Sequence, residues 1–156
     1  MKILMTLVLT GLSFSAVAAG HLDISTKVQK EEEFVNDAGE TAKRLVAADV
    51  VVPGETVFYT ITFRNVSDES ADNVVITNPI STDLRYVEGS GFGPGTDIRF
   101  SVDGGKSFAP AAELFVVEDG TKRPADARDY THVRWVMKKN LAAGAQGSAR
   151  FAAVLE

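Results

Sequence analysis

One stretch of alternating residues constrains this chain more than any other. Between residues 57 and 64, the side chains of Val57, Tyr59, Ile61 and Phe63 alternate with those of Phe58, Thr60, Thr62 and Arg64. A period of two is typical of a β-strand with one buried face. A Pro53-Gly54 turn precedes the stretch, and a polar segment follows it. The pattern therefore predicts a core strand that places Tyr59, Ile61 and Phe63 in the protein interior.

Similar short apolar runs recur along the chain, separated by turn residues. They predict strands at residues 22–28, 41–52, 73–77, 84–87, 97–102, 114–117, 130–137 and 148–155. A short helix is the alternative at residues 40–48, but the Gly39 turn and the valines at 50–52 favour a strand. Asn78-Pro79 is expected to end a strand, and residues 121–129 to form a surface loop. The predicted fold is an all-β, antiparallel sandwich of about eight or nine strands.

The first nineteen residues have the features of an export signal. Lys2 precedes an apolar run at residues 3–14, and small residues at 16–18 offer a cleavage site. A transmembrane stalk is the alternative, but the run is shorter than the roughly 20 residues that a spanning helix needs. We therefore predict a signal peptide at 1–19 and one domain at 20–156, located in the periplasm, at the cell surface or outside the cell.

Charge and cysteine content narrow the classes of partner. The chain has a net charge of −5 and no cysteine, and loss of Lys2 with the signal makes the charge −6. Nucleic acids and anionic membranes attract clustered Lys and Arg, which this chain lacks. We expect a protein partner, no nucleic acid and no membrane-spanning segment, with a sandwich held by its core alone because disulfides are absent.

Three segments resemble a known family. They are P-G-E-T-V-x-Y-T-I-T-x-x-N at 53–65, A-D-N-V-V-I-T-N-P-I at 71–80 and L-x-Y-V-x-G-S at 84–90. Trp135 followed by N-L-A-A-G-A at 140–145 adds a fourth, although Ala143 stands where proline is commoner. Together they resemble the DUF11 repeat, an immunoglobulin-like module of bacterial and archaeal envelope and secreted proteins, over about two thirds of the chain with a long insert before Trp135. The resemblance implies an immunoglobulin-like sandwich in the envelope and brings no catalytic residues.

A second motif lies at residues 101–108. Ser101, Asp103, Gly105 and Phe108 fit the pattern S-x-D-x-G-x-S-F, which resembles the Asp-box hairpin of sialidases and other β-propellers. There the box is a structural turn in which the aspartate caps backbone amides. One box cannot build a propeller of several blades, so a sugar-cleaving enzyme is disfavoured.

The remaining candidates for chemistry are weak. His132 has no partner at metal-ligand spacing, and carboxylates at 31–33, 68–72 and 126–129 lack the order of an EF-hand, so calcium is a minor alternative. The chain has no G-x-S-x-G elbow and no cysteine nucleophile. Trp135 is expected in the core rather than in a ligand-stacking surface, and the Asn65-Val66-Ser67 sequon is interpreted as a turn. We predict no enzyme activity, no cofactor and no metal.

These observations favour an exported, non-enzymatic module that acts in envelope or extracellular assembly through a sheet edge or face. Strand 22–28, with Leu22, Ile24, Thr26 and Val28, either completes its own sandwich, the favoured reading, or inserts into a neighbouring copy and forms a fibre. The alternative is a monomer that binds a polysaccharide or envelope partner through loops 89–96 and 121–129. A hydrolase with a hidden carboxylate pair is a third class.

Overall fold

The computed structural model describes residues 22–156. The predicted signal peptide at 1–19, and with it the start of the predicted domain at residue 20, lie outside these residues. Within them the only helical element is a short 3₁₀ turn, Ala111–Glu113. All other regular structure is β.

Ten strands form the fold: β1 (Leu22–Val35), β2 (Thr41–Ala47), β3 (Thr56–Asn65), β4 (Val75–Pro79), β5 (Leu84–Tyr86), β6 (Thr96–Ser101), β7 (Phe115–Glu118), β8 (Thr121–Pro124), β9 (His132–Met137) and β10 (Gln146–Leu155). One sheet has five strands in the order β2-β1-β3-β10-β5, and another has three in the order β4-β9-β6. Strands β7 and β8 form a separate hairpin. All pairings are antiparallel, and the chain is an all-β sandwich.

The core lies between the two larger sheets. Tyr59, Ile61 and Phe63 of β3 are buried, as is Trp135 of β9. Phe151 of β10 links them, since its ring stacks on Tyr59 with centroids 4.6 Å apart and lies 6.1 Å from the Trp135 ring. Aromatic pairs of this kind add to the free energy gained by burying apolar area. Trp135 is therefore a core residue that joins the two sheets.

The first hairpin differs from its prediction in length. Strand β1 continues through the charged residues 29–33 to Val35, and β2 ends at Ala47, before the valines that were assigned to it. Acidic residues continue the strand because they pair across it with basic ones, as Glu31 does with Lys43 at 3.0 Å. Val51 is fully buried but lies in the irregular segment before the Pro53-Gly54 turn rather than in a strand. The helical alternative at residues 40–48 is wrong.

Two other boundaries also differ. Strand β4 runs through Pro79, because β4 is an edge strand and a proline there removes no bond from the sheet. The segment predicted as a loop at 121–129 begins with β8, whose pairing with β7 is supported by the positive φ of Asp119 and Gly120 in the turn. This hairpin brings the total to ten strands, one more than the upper prediction.

Asn65, the last residue of β3, joins three parts of the chain. Its buried side-chain amide donates to the carbonyls of Glu69, Leu141 and Ala142, at 2.7, 3.0 and 3.2 Å. Its Oδ1 accepts from the backbone N–H and the hydroxyl of Ser67, at 3.1 and 2.7 Å. The side chain is fully buried and fully bonded, so the sequon at this position serves as a structural turn.

Replacing Asn65 tests this network. Asn65→Ala leaves buried carbonyls without a donor and is expected to lower the free energy of unfolding by about 1–3 kcal/mol. Asn65→Asp is expected to cost more, because it places an oxygen against those carbonyls. Urea unfolding followed by tryptophan fluorescence measures both changes. Asn140→Asp, at an exposed position, is the matched control and should change the value by less than about 0.5 kcal/mol; equal effects at the two positions would contradict the assignment.

Candidate functional site

The segment 22–28 lies in the protein's own five-stranded sheet. It pairs with β3 in the register Leu22↔Asn65, Ile24↔Phe63, Thr26↔Ile61 and Val28↔Tyr59. Leu22, Ile24 and Val28 pack against the core, whereas Thr26 is exposed. Strand β2 pairs with β1 only from Gln29 onward. The flank of residues 22–27 opposite β3 therefore has no strand beside it in the described part of the chain.

Beyond Lys30, β1 leaves β3 and pairs with β2 alone. Residues 31–45 thus form a two-stranded ribbon, called here the hairpin arm. Its turn is closed by Asn36, whose Oδ1 accepts from the N–H groups of Ala38 and Glu40 at 3.0 Å each. Val35 and Leu45 lie on one face of the arm and are 69% and 50% exposed. A two-stranded ribbon is only marginally stable alone in water, so the arm presents apolar surface without a core of its own.

Exposed ion pairs cross the two strands of the arm. Glu31 pairs with Lys43 at 3.0 Å and Glu32 with Arg44 at 2.6 Å. The Arg44 guanidinium also lies 5.0 Å from the centre of the Phe34 ring. Glu31 raises the pKa of Lys43 by accepting its hydrogen bond. Exposed pairs of this type contribute little to stability. They favour the register in which opposite charges face each other, but they leave the arm exposed to solvent.

Within residues 22–156, β2 is an edge strand with no strand beside its outer flank. Ala48 N–H donates to the carbonyl of Val28 at 3.2 Å, and Asn36 N–H donates to the carbonyl of Glu40 at 2.9 Å. These two bonds show that the even-numbered residues of β2 are the ones hydrogen-bonded to β1. The alternation of an antiparallel pair then points the backbone groups of Lys43 and Leu45 away from β1. Edges of this kind offer unpaired N–H and C=O groups to a partner strand.

A shallow apolar groove of about 310 Å³ begins beside the arm. It crosses the outer face of the five-stranded sheet and is lined by Leu45, Phe58, Phe92, Arg150 and Ala152, among others. Phe92 is 47% exposed and Arg150 lies over its ring at 4.6 Å. The groove extends from Leu45 at the base of the arm onto the outer face of the sheet.

Loops 89–96 and 121–129, the alternative site, approach each other around Glu88. Glu88 lines a polar depression of about 370 Å³ with residues 126–128. It also lines an apolar depression of about 260 Å³ with Gly89, Tyr86, Phe100 and Tyr130. The three rings are less than a tenth exposed, and the Tyr86 hydroxyl already accepts from Gly91 N–H at 2.8 Å. Little aromatic surface is left to stack on a sugar.

The motif at 101–108 forms a tight turn around Asp103. The carboxylate accepts from the N–H groups of Lys106 and Ser107 at 3.1 and 3.0 Å, and from the Ser107 hydroxyl at 2.5 Å. Ser101 Oγ donates to Asp103 at 2.7 Å and accepts from Gly105 N–H at 2.9 Å. The hydrogen bonds from Ser107 are the main cause that holds the pKa of Asp103 well below its usual range. Every strong acceptor of the motif is used inside the turn.

Gly105 and Phe108 connect this turn to β9. Gly105 has φ of +84°, and a Cβ there would lie 3.2 Å from the His132 ring. Phe108 meets the His132 ring edge-on, with centroids 6.2 Å apart. Burial, and then the charge of Arg134, lower the pKa of His132. His132 is therefore packed between the turn and the sheet.

The carboxylates at 126 and 129 are bonded to arginines of the protein. Asp129 pairs with Arg123 at 2.7 Å and Asp126 with Arg128 at 2.9 Å, and these bonds lower the pKa values of both carboxyls. Among residues 22–156, no group of three or more His, Asp or Glu side chains is arranged to hold a metal ion. No helix in that range has the length and apolar character needed to cross a membrane.

Comparison of the chain with protein-family models, with curated proteins and with solved structures finds no match. The fold places the protein in the class of all-β antiparallel sandwiches, and the resemblance to the DUF11 repeat stays a prediction. The sequence predicted a hairpin that returns through Thr41, but not that its strands continue beyond β3 as an arm. The signal for the arm was the pattern of glutamates at 31–33 followed by Lys43 and Arg44 at mirror distance from the Asn36–Gly39 turn.

Asp103→Asn tests the turn. The folded pKa of Asp103 lies below the unfolded value, so its charge stabilises the fold above the ordinary carboxyl pKa of about 4 and that stabilisation is lost as the pH falls. The wild type should melt above Asp103→Asn at pH 7, and the gap should shrink below about pH 4. Glu113→Gln, at an exposed position, is the control and should show no gap at either pH. A gap that is independent of pH would contradict the role of the charge.

Proposed function

We propose that this protein is an exported, non-enzymatic immunoglobulin-like module that assembles with protein partners, including copies of itself, in the cell envelope or outside the cell. The observation that carries the proposal is the hairpin arm, which extends β1 and β2 beyond the sandwich and leaves Val35 and Leu45 exposed. A ribbon without a core gains stability when a partner covers it.

Three features of the arm and of the adjoining sheet support contact through both edge and face. The free backbone groups of Lys43 and Leu45 offer strand addition. The groove at Phe58 and Phe92 offers apolar packing on the adjoining sheet face. Arg44 and Lys43 place charges on the same edge, a feature that discourages indiscriminate pairing and so favours a specific partner.

The fate of strand 22–28 is a separate part of the proposal. In a fibre built by strand donation, this segment would pair with β3 of a neighbouring copy; otherwise it pairs with its own β3. The register of Val28 opposite Tyr59 within one chain supports the second fate. The free flank of residues 22–27 is then a second short edge, staggered from that of β2.

The monomeric alternative, polysaccharide binding by loops 89–96 and 121–129, is favoured by one observation: Glu88 joins the two depressions between these loops. The buried state of Tyr86, Phe100 and Tyr130 argues against it. A monomer that binds acidic or neutral glycans saturably would favour this alternative over assembly.

Leu45→Pro tests edge pairing at β2. The N–H of Leu45 points away from β1, so proline removes an edge donor without removing a bond inside the sheet. We expect the mature wild type to form oligomers in size-exclusion chromatography with light scattering, and Leu45→Pro to remain monomeric with a similar melting temperature. Leu45→Thr retains the N–H and is the matched control. If Leu45→Thr fails equally, side-chain packing rather than edge pairing drives the contact, and a monomeric wild type at all concentrations would refute assembly.

A cysteine pair separates the two fates of strand 22–28. The chain has no cysteine, and Ser25 and Thr62 are direct partners across β1 and β3. Their predicted Cα separation of about 5.5 Å suits a disulfide. Oxidised Ser25→Cys/Thr62→Cys should run as a monomer in denaturing, non-reducing electrophoresis if the strand stays in its own sheet. A ladder of covalent oligomers, abolished by reductant and absent from either single variant, would establish strand donation instead.

A further inference from the structure

Two arginines stand side by side on the outer face of the three-stranded sheet. Arg99 of β6 and Arg134 of β9 are direct cross-strand partners, and their inward neighbours Phe100, Val133 and Trp135 point into the core. Like charges directly opposite each other destabilise an antiparallel pair. The arrangement therefore carries a cost that a bound anion would remove.

Arg134 is held in place before any partner arrives. Its Nε donates to the Thr77 hydroxyl at 2.9 Å, and its guanidinium lies 3.4 Å from the centre of the Phe108 ring. The turn at Asp103 fixes Phe108, so the aspartate motif indirectly orients this arginine. The terminal guanidinium N–H groups of Arg134 have no hydrogen-bond partner in the described chain. An arginine fixed by stacking loses little freedom when it binds a carboxylate.

No carboxylate of the described chain neutralises the pair. Asp97, two residues before Arg99 on the same strand face, is bonded to Lys138 at 2.9 Å. Asp103 is occupied within its turn. Neither Arg99 nor Arg134 forms an ion pair within residues 22–156.

The hairpin arm carries the complementary charge. Glu33 and Asp37 are exposed and accept no hydrogen bond or ion pair in the described chain. Glu33 lies on the same face as Val35, two residues away, and that valine is 69% exposed. Glu33 lies directly opposite Lys43, and its charge helps to raise the pKa of that lysine, but the two form no ion pair. The end of the arm thus presents two exposed carboxylates next to an apolar side chain.

We propose that the face formed by Arg99, Arg134 and Phe108 is a carboxylate-binding site, and that its occupant is the hairpin arm of a second copy of this chain. This inference rests on the proposed assembly function and names its contact. The arm belongs to the five-stranded sheet and the arginines to the other, so each copy keeps one free arm and one free face. A contact of this heterologous kind builds a ring if the rotation between copies closes and an open chain if it does not.

A charge swap tests the contact. One variant carries an acidic face, Arg99→Glu/Arg134→Glu, and the other carries a basic arm, Glu33→Lys/Asp37→Lys. Each variant alone places like charges across the contact and should weaken assembly by about a hundredfold or more. An equimolar mixture should assemble again, because each arm then meets a face of opposite charge. Light scattering and negative-stain microscopy of the mature proteins measure both results, after near-ultraviolet circular dichroism shows that each variant is folded.

The control is Lys122→Glu/Lys139→Glu, which changes the net charge by the same amount as the acidic-face variant, at exposed positions outside the arm, the arginine face, the groove and strand 22–28, where neither residue forms an ion pair in the described chain. It should assemble like the wild type. If the control also fails to assemble, or if the mixture does not assemble, the loss of assembly is due to net charge or folding and the contact is refuted. Variants that assemble normally would also overturn the contact while leaving assembly itself intact. A wild type that remains monomeric would overturn both proposals.

Discussion

The buried amide of Asn65 is the constraint on which the arrangement of strands depends. It stands where β3 ends, and its bonds to the carbonyls of Leu141 and Ala142 place the start of β10 beside that end. The backbone repeats the link, since Asn65 N–H donates to Ala145 and Gly144 N–H donates to Asn65, both at 2.9 Å. Because a slip of one residue would turn every side chain to the opposite face, this polar clamp favours the register in which the inner faces of β3 and β10 meet the other sheet.

With that register set, β3 has β10 on one side and β1 on the other, and the length of β1 decides what remains uncovered. The apolar face of β1 packs on the core only up to about Val28, while its backbone pairing continues to Val35. The second half of the strand is therefore stabilised by pairing and charge rather than by burial. The first half of β1 therefore completes the sandwich. The second half projects from it as part of the hairpin arm, where its side chains are exposed.

The sequence predicted the features that depend on local periodicity and missed those that depend on long-range pairing. The alternation of Tyr59, Ile61 and Phe63 was sufficient to predict a buried strand, because a single buried face leaves a period of two in the sequence. The continuation of β1 through residues 29–33 was not predictable from periodicity, because these residues show no apolar alternation and their basic partners Lys43 and Arg44 lie ten or more residues further along the chain. The role of Asn65 was hidden for the same reason: its partners at 141 and 142 are more than seventy residues away. The arginine pair needed the register of β6 against β9 before it could be recognised.

The turn around Asp103 orients Arg134 on the neighbouring strand. In isolation it is a closed structural unit, because Asp103 and Ser101 spend their hydrogen-bonding capacity within it. Its last residue, Phe108, nevertheless reaches across the sheet face and stacks on Arg134. The polar groups of this turn bond to each other, so the turn can position the Phe108 ring without forming an ion pair with Arg134. The guanidinium is thereby fixed in direction, partly desolvated and still free to bind a carboxylate, which is the condition under which a surface arginine contributes most to recognition.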